Sequence, residues 1–147
     1  MDNIVIGTHP KRAILDLPGA RLHYEIRGQG PLIALVGAPM DAAAFAPLAD
    51  HLATGHTVLT CHPRGIRRGT VTDPDADFTP ETRASDLARL LDVCDAGPAT
   101  DLGSSGEAAT ALTLVQKRPY GSMGAWLAPV CTRSGIRLIR LMSSSEY

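Results

Sequence analysis

The chain has few aromatic residues, almost no net charge and no long apolar run, and each shortage excludes a class of function. Aromatic residues make up 4% of the 147 residues, so the chain lacks the series of rings on which nucleic-acid bases stack. A formal net charge of −1 leaves no strongly basic surface for phosphate backbones. No stretch approaches the ~18 apolar residues of a membrane span. We therefore expect neither nucleic acid nor a membrane among its partners.

Cysteine is also scarce, and its spacing indicates no disulfide framework. Cys61, Cys94 and Cys131 lie far apart and form no C-x-x-C pair, which favours free or buried thiols in a reducing compartment. Residues 1–6 lack the basic and apolar regions of a signal peptide. We predict a cytoplasmic protein without a metal or cofactor, because Cys61-His62 has no second cluster with which to form a metal site.

Apolar periodicity predicts strands that alternate with helices. A β-hairpin is predicted over Ala13–Leu17 and Arg21–Ile26, and buried strands over Leu32–Val36, Thr57–Cys61 and Ala99–Leu102. After three of these strands, apolar residues recur at the spacing of an amphipathic helix, and we call each such set an apolar stripe. The three stripes are Phe45, Leu48, Ala49 and Leu52, then Ala84, Leu87, Ala88, Leu91 and Cys94, then Ala108, Ala111, Leu112 and Val115. This order predicts the α/β class, with a mostly parallel sheet, flanking helices and an N-terminal β-hairpin.

The character of the chain changes near Pro119. Residues 1–118 hold 11 basic and 14 acidic side chains, whereas residues 119–147 hold 3 and 1. We therefore divide the chain into a partial domain, 1–118, and an atypical tail, 119–147, in which Gly135–Met142 is a candidate for one extra strand. Residues 120–126 show neither helical nor strand periodicity. The sheet is then expected to have an unpaired apolar edge beside Leu102.

The segment from Gly103 to Gly106 places a serine where a strand turns into a helix. At that position Ser105 lies at a helix N-terminus, where developing negative charge is stabilised. A helix-capping serine is the plain alternative. Ser104 is a rival for the same role, but centring the turn on it puts Leu102 where a small residue is needed, so Ser105 is preferred.

Several motifs in this order resemble the N-terminal half of an α/β-hydrolase-fold enzyme over about residues 20–118. They are Gly28-Gln29-Gly30-Pro31, the buried strand to Val36, Gly37-Ala38-Pro39, Pro63-Arg64-Gly65, and Gly103-Ser104-Ser105-Gly106. The resemblance implies a serine hydrolase that acts on an ester-like small substrate. It also implies that Ser105 is the nucleophile and that oxyanion donors lie at Gly106 and near Ala38.

The sequence departs from the family pattern at three motif positions. Glu107 stands in place of the second glycine of the serine turn, Val36-Gly37 in place of the frequent His-Gly, and His62 in place of the aspartate of the usual D-x-R-G loop. The nearby Arg64, Arg67 and Arg68 form either an anion-binding loop or a solvated loop.

The family's chain order is serine, then an acid, then a histidine, and this chain has no histidine after Ser105. Its histidines are His9, His23, His51, His56 and His62. Serine without a base is a poor nucleophile, so we expect a shortened or frame-altered product that is catalytically incomplete. His62 is a candidate substitute base, although a surface-loop histidine is the plainer interpretation. The alternative function is a non-catalytic assembly module that pairs through the edge beside Leu102 with a second copy or a complementing chain.

Overall fold

One mixed β-sheet runs through the chain. The structure is a computed structural model and describes residues 9–38, 42–94, 98–105, 107–117, 122–128 and 139–141. Its elements are β1 (Lys11–Leu17), β2 (Ala20–Arg27), β3 (Leu32–Ala38), α1 (Ala46–Leu52), β4 (Thr57–His62), β5 (Thr70–Val71), α2 (Pro80–Cys94), β6 (Ala99–Ser105), α3 (Glu107–Lys117), β7 (Ser122–Ala128) and β8 (Ile139–Leu141). The strand order is β1-β2-β4-β3-β6-β7-β8, and β5 also pairs with β2. The predicted α/β class with flanking helices is confirmed, and the sheet is mixed, with parallel pairs in its centre, β4-β3-β6-β7, and antiparallel pairs on either side.

The N-terminal hairpin is confirmed. β1 and β2 pair antiparallel from Lys11 opposite Ile26 to Leu17 opposite Ala20. Gly19 in the connecting turn has a φ of 75°, a conformation that glycine adopts without steric cost. β2 then pairs antiparallel with β4, which joins the hairpin to the parallel part of the sheet.

The central strand β3 is covered on both faces, as its unbroken apolar run predicts. It lies between β4 and β6, and both neighbours run parallel to it. On one face, Leu35 packs in a cluster with Phe45 and Ala49 of the α1 region. On the other face, a larger cluster joins the sheet to α2 and α3, and its buried members are Leu32, Ala34, Val36, Leu59, Cys61, Ala84, Leu87, Leu90, Leu91, Ala99 and Leu114.

The first two helices follow their predicted stripes with one exception. Phe45 and Ala49 are buried, but Leu48 is 40% exposed, because at 3.6 residues per turn it lies about 60° from Phe45, at the margin of the stripe. α2 has an N-cap, since Thr79 Oγ1 accepts a hydrogen bond from the backbone N–H of Thr82 at 3.3 Å.

The expected unpaired edge beside Leu102 is wrong. β7 pairs parallel with β6 and places Trp126 opposite Leu102. Residues 122–128 give no periodic signal, and it is the pairing with β6 that makes them a strand. Of the predicted strand Gly135–Met142, residues 139–141 are described, and they form β8, antiparallel to β7.

The segment between β4 and α2, which carries Arg64, Arg67 and Arg68, contains a short strand. His62 is the last residue of β4, and Thr70–Val71 forms the short strand β5 against β2. Within the described residues, no helix combines the length and apolar character needed to cross a bilayer.

Candidate functional site

The strand-to-helix turn predicted at Ser105 is present in the backbone. β6 extends three residues beyond its predicted end at Leu102 and finishes at Ser105, and α3 begins at Glu107. A single residue, Gly106, separates the two elements and lies outside the described residues. The end of the strand and the start of the helix are therefore two positions apart in the chain, as the motif predicts.

Ser105 and Ala38 are neighbours at the carboxyl edge of the sheet. They are register partners at the ends of β6 and β3, two parallel strands. Adjacent strands are about 4.8 Å apart, so the backbones of Ala38 and Ser105 lie side by side. The first backbone N–H groups of α3 lack partners inside the helix and carry its positive dipole end. This corner of the sheet can therefore stabilise an anion near Ser105.

His62 is not the surface-loop histidine of the plainer interpretation. It lies in β4, is 8% exposed, and has His23 of β2 as its register partner. Together with His23 and Arg68 it lines a cavity of about 200 Å³ over β2 and β4. β3 lies between β4 and β6, so about two strand spacings, roughly 10 Å, separate the backbones of His62 and Ser105. The structure thus places His62, the candidate substitute base, in a cavity over β2 and β4.

Arg64 is not part of a solvated loop. Its Nε lies 2.7 Å from Oδ2 of Asp86 and its Nη2 lies 2.8 Å from Oδ1, and both side chains are buried. The hydrogen bond to Asp86 raises the pKa of Arg64 above its ordinary value, although burial opposes it. The pair fixes the loop after β4 to α2.

Sequence reasoning missed Asp86. It lies next to the apolar stripe of α2, and an acid beside a buried stripe is the one local signal for a buried ion pair. A cavity of about 20 Å³, large enough for one water molecule, lies between Asp86 and Thr110 of α3. The ion pair is thereby adjacent to the helix that follows Ser105. Among the described residues, no group of three or more His, Cys, Asp and Glu side chains is placed to hold a metal ion.

The strand order, the parallel β3–β6 pair and the turn at Ser105 define a three-layer α/β protein, and solved structures identify its fold. An epoxide hydrolase from Vigna radiata superposes with a TM-score of 0.73 at 16% identity, over 80% of this chain and 39% of that one. E-2-(acetamidomethylene)succinate hydrolase gives a TM-score of 0.70 at 24% identity, over 80% and 43%. The chain therefore has the α/β-hydrolase fold, in part, as the motifs predict.

A curated relative is similar in sequence as well. The uncharacterised hydrolase YraK of Bacillus subtilis strain 168 is 40% identical over 106 residues, which are 71% of this chain and 39% of that protein. No protein-family model matches the chain. The chain thus spans less than half the length of YraK and of the two solved hydrolases.

Proposed function

We propose that the chain supplies the nucleophile and oxyanion-binding part of a serine hydrolase that acts on an ester-like small substrate. In this proposal Ser105 attacks the carbonyl carbon, and the N–H groups of Gly106 and of the segment near Ala38 hold the oxyanion. The register pair of Ala38 with Ser105 is the observation that supports the proposal, because these two residues end neighbouring parallel strands. The hydrolase names of the relatives support the reaction class.

In this proposal the chain does not supply its own base, because no histidine follows Ser105 as the family's chain order requires. Oxyanion binding and substrate positioning alone accelerate such reactions about 10³–10⁴-fold over water. We therefore expect hydrolysis of p-nitrophenyl esters by this chain to be negligible. Robust turnover that Ser105→Ala abolishes would show that the chain has its own base and would overturn that expectation.

Labelling with a fluorophosphonate tests Ser105 directly, and added imidazole replaces the missing base. We expect slow labelling that imidazole accelerates and that Ser105→Ala abolishes. Ser104→Ala is the matched control because it removes the neighbouring hydroxyl, and it should be labelled like the unaltered chain. Equal labelling of Ser105→Ala, or none in any variant, contradicts Ser105 as the nucleophile.

The assembly-module alternative loses the observation that motivated it, because β7 covers the edge beside Leu102. Pairing with a second copy or a complementing chain stays a proposal without a described surface. Light scattering tests it, since a monomer at micromolar concentration contradicts self-association.

A further inference from the structure

Two cavities that share Arg12, Glu25, His62 and Arg68 in their linings form a basic cleft over β2 and β4. Their volumes are about 200 and 290 Å³. The basic cleft is lined by Arg12, His23, Glu25, His62, Arg67 and Arg68. Three of these side chains are guanidinium groups and one is a carboxylate, so the cleft carries a net positive charge before either histidine is counted.

The floor of the basic cleft is one face of the sheet. His23 of β2 is the register partner of His62 of β4, and directly opposite residues of an antiparallel pair share a face, with Cβ atoms about 4.5–5.5 Å apart. The next row on that face is Arg12 opposite Glu25. Each imidazole, even when neutral, has one N–H to donate. Two imidazoles therefore lie side by side at the bottom of the cleft.

The single carboxylate of the cleft is already engaged. Glu25 Oε1 accepts from Arg12 Nε at 2.9 Å, and its Oε2 accepts from the buried Arg27 at 2.6 Å. Arg68, by contrast, makes no hydrogen bond or ion pair with any residue that the structure describes. Among the described residues, therefore, no carboxylate pairs with Arg68, which lines the same cavity as the two imidazoles.

The loop that carries Arg68 is held in place before any ligand arrives. The buried ion pair of Arg64 with Asp86 fixes its beginning, and β5 fixes its end against β2. Arg67 has a φ of 52°, a left-handed conformation that costs energy in a residue other than glycine. Such strain persists where the surrounding structure imposes it, and it is concentrated at functional sites.

We propose that the basic cleft binds a phosphate group, either as free phosphate or as a small phosphate monoester. A guanidinium donates two parallel hydrogen bonds to phosphate oxygens, which assigns Arg68 as the anchor, and His23 and His62 supply N–H donors from below. This site is independent of the proposed hydrolase function.

The test is a titration of the 147-residue chain with inorganic phosphate at constant ionic strength, followed by NMR of the arginine side-chain and imidazole N–H groups. We expect saturable shifts at Arg68, His23 and His62. Arg68→Gln should weaken binding by about tenfold or more, because it removes the two charged hydrogen bonds of the guanidinium. Arg89→Gln is the matched control. Arg89 is also exposed and makes no hydrogen bond or ion pair among the described residues, but it lies on α2.

Methyl phosphate and acetate complete the experiment. Tighter binding of methyl phosphate than of inorganic phosphate indicates a monoester ligand, and the reverse order indicates free phosphate. The proposal is overturned if phosphate gives no saturable shift, if acetate binds as tightly, or if the two glutamine variants lose affinity equally. Labelling of Ser105 by fluorophosphonate should be the same in Arg68→Gln, so this result and the test of the nucleophile are separable.

Discussion

Removing one partner of the buried pair between Arg64 and Asp86 should destabilise the fold more than any exposed ion pair does. The side chains of Arg64 and Asp86 are 5% and 7% exposed. Asp86→Leu leaves a guanidinium in the interior without its carboxylate, and the cost of breaking such a buried pair is about 3–5 kcal/mol. This is a large part of the about 5–15 kcal/mol by which domains are stable.

The measurement is urea unfolding followed by circular dichroism. With a denaturant slope of about 2 kcal/mol per molar urea, the midpoint of Asp86→Leu should fall by about 1.5–2.5 M. The exposed pair of Arg21 with Asp16 supplies the control, because its side chains are 51% and 71% exposed. Asp16→Leu should cost about 0–1 kcal/mol.

A double-variant cycle separates the pair from its parts. If the two charges stabilise the fold by pairing with each other, the double variant Arg64→Met with Asp86→Leu should lose far less stability than the two single variants lose in sum. The reason is that replacing both charges with apolar groups leaves neither charge unpaired. A double variant that loses the full sum refutes the reasoning, and so does a single variant that loses less than about 1 kcal/mol.

Three further predictions concern the loop after β4 and the start of α2. Gly69→Ala should cost about 1–3 kcal/mol in urea unfolding, because a Cβ there overlaps backbone carbonyl oxygens of the same loop, whereas Gly55→Ala, which meets nothing within 4 Å, should be neutral or stabilising. Thr79→Ala should cost about 1 kcal/mol in the same assay, since it removes the cap on the N–H of Thr82, and an unchanged midpoint contradicts the cap. Hydrogen bonds from Thr82 and Thr79 lower the pKa of Asp77 below 3.8. The contribution of Asp77 to the stability of the fold is therefore present above the pKa of the unfolded chain and is lost as pH falls through the pKa of the folded protein. Carboxyl NMR titration should show a higher pKa for Asp77 in Thr82→Val.

The sequence predicted those elements whose own residues determine them. The buried runs of β3 and β4 and the Thr79-Pro80 start of α2 carry their signals locally. β7 does not, because its residues Ser122–Ala128 include a glycine and lack alternation, and strand structure there depends on the partner strand β6. A strand of this kind depends on tertiary contacts, so local sequence does not predict it.

In the candidate site, too, some features follow from local sequence and others depend on contacts between distant residues. The turn at Ser105 follows from neighbours in the chain, so the motif was sufficient to place its backbone. The ion pair of Arg64 with Asp86 joins residues 22 positions apart, and the pairing of His23 with His62 joins residues from two strands. Such contacts depend on register and loop path, so the sequence offered Arg64 and His62 only as candidates.

His62 departs from the family pattern, and this departure keeps a carboxylate out of the basic cleft. An aspartate at the end of β4, as in the usual D-x-R-G loop, would put a carboxylate beside His23 and beneath Arg68, and it would cancel the charge of that arginine. Histidine at this position removes the negative charge and adds an N–H donor on the same face. In the proposed phosphate site, His62 therefore serves as a donor on the face that it shares with His23, in place of the carboxylate of the family pattern.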